Sequence, residues 1–418
     1  MLSAQDNEML ARTDAGTPMG ELFRRFWLPA LLPSEVPEPD SPPVRLRLLG
    51  EDLIAFRDTS GKVGFVANAC PHRGASLFFG RNEEDGLRCV YHGWKFDRTG
   101  ACVDMPSEPA ESNFKSKVRV KAYPGAEFGG IVWIYMGPAE KQPPLPLYEW
   151  FLGNHEIQPT VYKWMQECNW AQGQEGNIDT AHVTFLHRRF ENFGFRGTNP
   201  DLAPYIEVLQ TDFGFVYGGR RVTAEGKYYW RVTPYAMPGF TTIPGASSIG
   251  AGFFVLPVDD EHCWWWTISP RRGDDRNAPG NNGHPYLELI PGTWRMTRNK
   301  DNDYQIDREM QKTVNYTGLP TNRTQDAAVI ESMGPIMDRT HEHLGRSDAA
   351  IIYMRRLMIE AAKQLQQGVE PEILEHPEWS RVRPLDIVTE EPKMAPLWQQ
   401  HYAEYMRLEP VAVPAPVS

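Results

Sequence analysis

Cysteine and histidine recur as two close pairs in "CPHRGASLFFGRNEEDGLRCVYHGW", residues 70–94: Cys70 with His72 and, sixteen residues later, Cys89 with His92. Thiolate sulfur and imidazole nitrogen are soft to borderline ligands that suit zinc or iron. A hairpin that joins the pairs supplies four ligands with little further ordering, so this stretch asks for a small β unit around a metal. Zinc, or four residues that are merely buried, are the plain readings. Zinc pairs usually leave about two to five residues between their members, and the single Pro71 between Cys70 and His72 fits that poorly.

At 418 residues the chain is too long for one small core and suggests two or three domains. Charged residues at 23% and hydrophobic residues at 41% exclude general disorder and a fibrous protein. A formal charge of −11 without a long basic run argues against nucleic-acid binding. The opening "MLSAQDNEMLARTDAG" has no basic region followed by an apolar core, so it does not resemble a signal peptide. No apolar run approaches the ~18 residues of a membrane span, and "CWWWTI" reads as a buried strand. Five scattered cysteines do not make a disulfide framework, and a reducing cytoplasm is expected.

Along the chain, "TPMGELFRRFW" predicts a short helix with Thr17 as cap and Pro18 in its first turn, followed by the proline-rich "LPALLPSEVPEPDSPP". From Val44 to Met136 short apolar runs alternate with turn signals, as expected of a small antiparallel β domain closed by "KQPPLPLYEW". Beyond it a helix is expected through "NWAQGQEGNIDTAHVTFLH", then strands at "FGFVYGG", "KYYWRVTPY", "IGAGFFVLPV" and "HCWWWTISP". A helix opened by Ser347 and Asp348 should stop at Gly368. The fold class is therefore α+β. The expected divisions are an N-terminal segment 1–40 packing on the larger domain, a β domain 41–143, a larger domain 144–410 with an antiparallel sheet flanked by helices, and a tail 411–418.

Against zinc stands a second option, a Rieske [2Fe-2S] centre, which binds one iron through two cysteines and the other through two histidines. The pattern C-x-H, sixteen residues, C-x-x-H, followed by Gly93 and Trp94, resembles the Rieske family. Respiratory members carry an added disulfide pair, whereas here no cysteine lies between Cys70 and Cys89 and Cys102 alone follows closely. Further on, Asp179, His182 and His187 follow a D-x-x-H-x-x-x-x-H spacing. On a helix Asp179 and His182 share a face, and His187 can join them if the helix ends or distorts. Two histidines and one carboxylate form the facial triad of non-heme iron oxygenases, which leaves coordination positions open.

The two motifs in this order resemble the large subunit of the Rieske non-heme iron oxygenases over nearly the whole chain. "GTPMGELFRRFWLPALL" and "GPIMDRTHEHLGRSDAAII" look most similar to the phthalate dioxygenase-like branch of aromatic acid dioxygenases and O-demethylases. The resemblance implies His182 and His187 as ligands of a mononuclear Fe(II), with Asp326 in "TNRTQDAAVIES" as the third, and Asp338 or Asp348 as fallbacks. Asp338 is otherwise explained by pairing with a neighbour, and Asp348 by opening a helix. The resemblance also implies that Asp179 links the cluster of one subunit to the iron of the next, through His92, Asp179 and His182, so that a monomer is inactive. Glu175 and Asn177 are either supports of this site or ordinary helix-surface positions.

The family's substrate cavity would draw on Val216, Tyr217, Arg220, Arg221, Tyr228, Trp230, Arg231, Met237, Ile243 and Phe253, of which alternation lets about half face it. Arg231 could hold a substrate carboxylate bidentately, an ordinary salt bridge being the alternative. Phthalate-specific relatives are expected to carry an arginine where Val216 stands, which leaves other aromatic acids, diaryl ethers and methoxylated aromatics open.

The implied function is the terminal oxygenase of a multicomponent system that hydroxylates an aromatic compound by ring dihydroxylation or O-demethylation. Its cofactors would be a [2Fe-2S] cluster, mononuclear Fe(II) and O2. With no dinucleotide fingerprint or plant-type ferredoxin cysteine set apparent, NAD(P)H would act through a separate flavin or iron–sulfur reductase, or through a ferredoxin. A homotrimer or stacked trimers, no membrane and a cytoplasmic setting complete the expectation. The rivals are a Rieske-type electron carrier, which needs only the small β domain, and a zinc protein.

Overall fold

A computed structural model describes residues 1–152, 159–191, 201–245, 249–269 and 285–407. The chain divides into two compact units, one formed by Thr13–Leu145 and the other by Met1–Arg12 with the chain from Pro146 onward. The expected tail 411–418 lies outside the described residues.

The smaller unit contains β1 (Trp27–Leu31), β2 (Val44–Leu48), β3 (Glu51–Arg57), β4 (Val63–Ala67), β5 (Arg81–Glu83), β6 (Gly86–Arg88), β7 (Lys95–Phe96), β8 (Cys102–Asp104), β9 (Ala122–Tyr123), β10 (Gly125–Phe128) and β11 (Ile131–Tyr135). They form three antiparallel sheets, ordered β1-β11-β10, β2-β3-β4-β9 and β5-β6-β7-β8. Residues 13–40 therefore do not belong with the larger unit as expected. The physical reason is pairing: β1 adds to β11 from Trp27 opposite Tyr135, and Arg24, in the helix Pro18–Arg24 capped by Thr17, donates to Glu51 at 2.9 Å.

The larger unit is built on β12 (Thr160–Gln166), β13 (Tyr205–Thr211), β14 (Gly214–Val222), β15 (Tyr228–Ala236), β16 (Phe240–Ile243), β17 (Ala251–Pro257), β18 (Cys263–Ser269) and β19 (Leu385–Thr389). One antiparallel sheet runs β12-β18-β17-β16-β15-β14-β13, and β19 also pairs with β15. Its strands are rich in aromatic and β-branched residues, as buried pleated surfaces favour. Trp164 stacks on Trp265 with ring centroids 5.6 Å apart, and both rings are buried. Burying an indole of this kind contributes at most about 4–6 kcal/mol.

Side chains opposite each other across the pairs share a face. Tyr217, Gly219 and Arg221 of β14 stand opposite Thr233, Arg231 and Tyr229 of β15, and the same face continues through Thr241 and Ile243 to Phe253, Thr267 and Trp265. Val216, Arg220, Tyr228 and Trp230 occupy the other face.

The helix Trp170–Ile178 is capped by Asn169, whose side chain accepts from the Ala171 N–H. It is fixed by a buried ionic network in which Glu175 Oε1 accepts from Arg339 Nε at 2.9 Å and Arg355 Nε at 2.8 Å, while Arg355 also donates to Glu342. The N-terminal residues join in: Arg339 donates to Asn7 Oδ1 at 3.0 Å, Trp170 Nε1 to Leu10 O at 2.9 Å and Asn169 Nδ2 to Ala11 O at 2.8 Å. Glu175 is thus an internal anchor, neither a surface position nor an attachment to the histidines. The helix expected from Ser347 runs Ala349–Gln366, with Gly368 just beyond it at φ +84°. Among the described residues, no helix is long and apolar enough to cross a membrane.

Candidate metal centres

Two loops of matching construction carry the first set of candidate ligands, one between β4 and β5 and one between β6 and β7. In each, the cysteine carbonyl accepts from the glycine four residues on: Gly74 N–H to Cys70 O at 2.8 Å and Gly93 N–H to Cys89 O at 2.9 Å. In each, the cysteine N–H then reaches the carbonyl of the next residue, Ala75 or Trp94, at 2.8 Å. Both glycines take positive φ, +78° and +77°, where a side chain is strained. Arg88 ties the second loop down by donating to Gly93 O at 2.8 Å and Asp104 at 2.7 Å.

The loops bring the His72 and His92 rings to 4.4 Å between centroids, and His72 stacks on Trp94 at 4.3 Å. Cys70 and Cys89 are free thiols, 2% and 3% exposed. Burial, and then the proximity of Cys89, push the Cys70 thiol up to about 11 against a hydrogen bond from the His72 N–H. His72 Nδ1 is buried with no hydrogen-bond partner, an atom that lacks only what a metal would supply. Two sulfurs and two imidazoles presented in this way fit a cluster bound by both types of ligand.

In the larger unit the helix expected to run past His182 stops at Ile178. Asp179 ends it: its Oδ1 accepts from the N–H groups of Ala181 at 2.6 Å and His182 at 3.3 Å, so the carboxylate competes for backbone donors and starts a 3₁₀ turn, His182–Thr184. That break lets His187 swing round. The third contributor comes from the helix Asn322–Glu331, capped by Thr321, which presents Arg323 and Asp326 on one face.

His182 Nε2 lies 3.2 Å from His187 Nε2, and Asp326 Oδ1 lies 3.7 Å and 3.1 Å from those two atoms. Adjacent ligands about 2.1 Å from one metal stand about 3 Å apart, so three atoms at these separations fit a single ion. Among the described residues this is the one group of three or more His, Cys, Asp or Glu side chains whose ligand atoms converge closely enough to share a single ion. Each ring has an outer partner: His187 Nδ1 meets Gln325 Oε1 at 2.7 Å, and His182 Nδ1 lies 3.5 Å from Asp179 Oδ2. Such partners fix the tautomer that leaves Nε2 free to ligate. Burial pushes the Asp326 carboxyl up, but His187, Arg323 and His182 outweigh it and hold the group at about 2. Asp179, raised by burial and lowered by His182 and the two backbone N–H groups, ends below the ordinary value.

The fallback carboxylates are elsewhere. Asp338 accepts from Thr340, and Asp348 accepts from the Gly345 N–H at 2.6 Å. Asn177 donates to Thr241 Oγ1 at 2.7 Å and so ties its helix to the sheet. Of the substrate candidates, Arg231 faces the histidine segment, donating to Thr180 Oγ1 at 3.4 Å, as does Arg221, donating to Thr180 O at 2.9 Å. Ile243 and Phe253 share their face. Val216 points to the opposite side because it is one residue out of phase. Gln325 and Arg323 escaped the sequence reading. Gln325 adjoins Asp326, but nothing in that adjacency says which ring it will meet.

Residues 26–124 match the Rieske [2Fe-2S] domain family, and residues 134–383 match the LigXa C-terminal domain like family. Over 388 residues the chain is 38% identical to the phthalate 4,5-dioxygenase oxygenase subunit of Pseudomonas putida, covering 88% of each. It is 40% identical over 392 residues to the 3-chlorobenzoate-3,4-dioxygenase oxygenase subunit of Comamonas testosteroni, covering 87% of this chain and 89% of the relative. It is also 35% identical over 401 residues to the 5,5'-dehydrodivanillate O-demethylase oxygenase subunit of a Sphingobium species, covering 93% and 87%. Among solved structures, dicamba monooxygenase bound to dicamba shares the fold with a TM-score of 0.57 at 18% identity, over 83% of this chain and 99% of that one.

The chain belongs to the Rieske non-heme iron oxygenases. It is the oxygenase subunit of such a system, an enzyme whose cofactors are a [2Fe-2S] cluster and a mononuclear iron, with O2 as co-substrate and electrons supplied by a reductase. A carrier without oxygenase activity is not favoured, because the match extends over both units.

Proposed function

We propose that Cys70 and Cys89 hold one iron of the cluster, His72 and His92 the other, and that His182, His187 and Asp326 hold the mononuclear iron. The observation that carries this reading is the convergence of two Nε2 atoms and one Oδ1 within 3.7 Å, in a chain that also bears the paired Cys/His loops. When bound, the mononuclear iron supplies oxygen activation at positions left open by the triad. The residues of the chain orient it: Gln325 and Asp179 set the rings, and Arg323 steadies the second oxygen of Asp326. Asp179, accepting from imidazole N–H groups on both sides, would couple His92 of a neighbouring copy to His182, which makes a trimer the working unit.

The substrate proposed is an aromatic acid, a diaryl ether or a methoxylated aromatic, in keeping with relatives named for phthalate, chlorobenzoate, phenoxybenzoate and dehydrodivanillate. Ring dihydroxylation consumes O2, two electrons and two protons to give a cis-dihydrodiol. O-demethylation inserts one oxygen atom into a methoxy C–H bond to give a hemiacetal that loses formaldehyde, the other being reduced by two electrons and two protons to water. The donor is a separate reductase, alone or through a ferredoxin, and the setting is the cytoplasm.

The test is iron and acid-labile sulfide on anaerobically purified protein, with an electron paramagnetic resonance spectrum after dithionite. About three irons and about two sulfides per chain with a Rieske signal are expected, together with substrate-dependent oxygen uptake when a reductase is added. A colourless protein saturated with zinc would overturn the reading.

A further inference from the structure

Beside the triad, Asp326 engages only part of Arg323. One edge of its guanidinium lies 3.4 Å from Asp326 Oδ2, and its side chain is only 16% exposed. The rest is surrounded by rings: the guanidinium carbon is 5.4 Å from the centroid of Phe253, 5.8 Å from Trp265 and 5.9 Å from each of Trp164 and Tyr286. Arg323 Nε is buried with no hydrogen-bond partner, and so is the indole N–H of Trp164. A buried donor left without an acceptor is costly, and more so when it is charged. The aromatic faces offset part of the desolvation of the cation, but they accept no N–H in the plane of the fork. Arg323 also borders an open cleft with Tyr286, Glu288, Met296, Arg298 and Pro320.

We propose that Arg323 is a specificity-determining residue that takes the carboxylate of an aromatic acid on its Nε edge, with the substrate ring held beside the triad. The planar fork can serve Asp326 on one edge and a second carboxylate on the other. The requirement for an acid group falls on the helix of Asp326, not on the strand positions of Val216 or Arg231. The proposal rests on the triad being the oxygenation site.

The test is direct binding to the iron-loaded protein, followed by intrinsic tryptophan fluorescence and calorimetry under argon. The probes are phthalate, 3-chlorobenzoate and phenoxybenzoate, each against its neutral amide. The wild type should bind at least one acid about tenfold or more tightly than its amide, Arg323→Gln should level the two without weakening the amide, and Arg323→Lys should keep only part of the preference. The cluster spectrum and iron content report whether each variant is folded and loaded. If no acid is preferred by the wild type, or if Arg323→Gln keeps the preference, the carboxylate site is wrong. Loss of iron in Arg323→Gln with the preference unchanged would leave the residue as a support of Asp326 alone, and would also overturn the proposal. An acid preference that follows Arg323 in a protein with no oxygen uptake would sustain the subsite and defeat the oxygenase reading.

Discussion

In the smaller unit each cysteine and its histidine lie within one short loop that closes on its own backbone; in the larger, His182 and His187 meet Asp326 only when two helices pack beside one sheet. The first construction needs a turn and a glycine at positive φ, both local. The second needs a helix to stop at Ile178, a buried ionic network to hold it and a capped helix to arrive at the right height. The paired loops should therefore tolerate changes in the larger unit, while the triad depends on groups far from it in sequence.

Removing His182 or His187 by alanine breaks the second construction most severely. Oxygen uptake should fall about a thousandfold or more and bound iron should drop by about one per chain, with the Rieske signal unchanged. If the cluster bleaches as well, the two regions are not independent. Asp179→Asn should cost about 100-fold in turnover while cluster and iron are both retained; preserved turnover removes its coupling role. On the other side, Gly93→Ala places a Cβ 2.7 Å from Pro106 at φ +77°. That strain costs about 1–2 kcal/mol, read as earlier thermal loss of the visible cluster absorption with mononuclear iron undisturbed.

The smallest effect concerns pH. Burial raises the Glu51 carboxyl, but Arg24, Lys121 and Tyr123 together lower it below its ordinary value of 4.5. A depressed pKa stabilises the fold above the unfolded value and loses that contribution as pH falls through the folded one. Acid titration of the smaller unit should therefore be steeper below pH ~4.5 in the wild type than in Glu51→Gln, measured as cluster absorption against pH.

The same contrast explains what could be read from the chain. The approach of the Cys70/His72 and Cys89/His92 pairs was legible because each pair lies within one short loop, and the strands because aromatic and β-branched runs alternate with turns. Asp326 was reached through family resemblance, since nothing near His182 points to it. The helix through Asp179 was overextended because propensity does not weigh a side chain that captures the backbone N–H groups of Ala181 and His182. Residues 13–40 were placed with the wrong unit because the partner of Trp27–Leu31 comes about a hundred residues later, a pairing that local pattern does not disclose. Arg323 was passed over because its meaning lies in four rings from other parts of the chain.

The contacts of Asn7, Leu10 and Ala11 have a practical consequence. They reach Arg339, Trp170 and Asn169, so the helix Ala4–Ala11 acts as a latch on the helix that leads into the histidines. An affinity handle fused at the amino end, or trimming of the first ten residues, would be felt as poor iron retention in the purified protein even though the cluster stays brown. Expression vectors for this enzyme should carry their purification tag elsewhere.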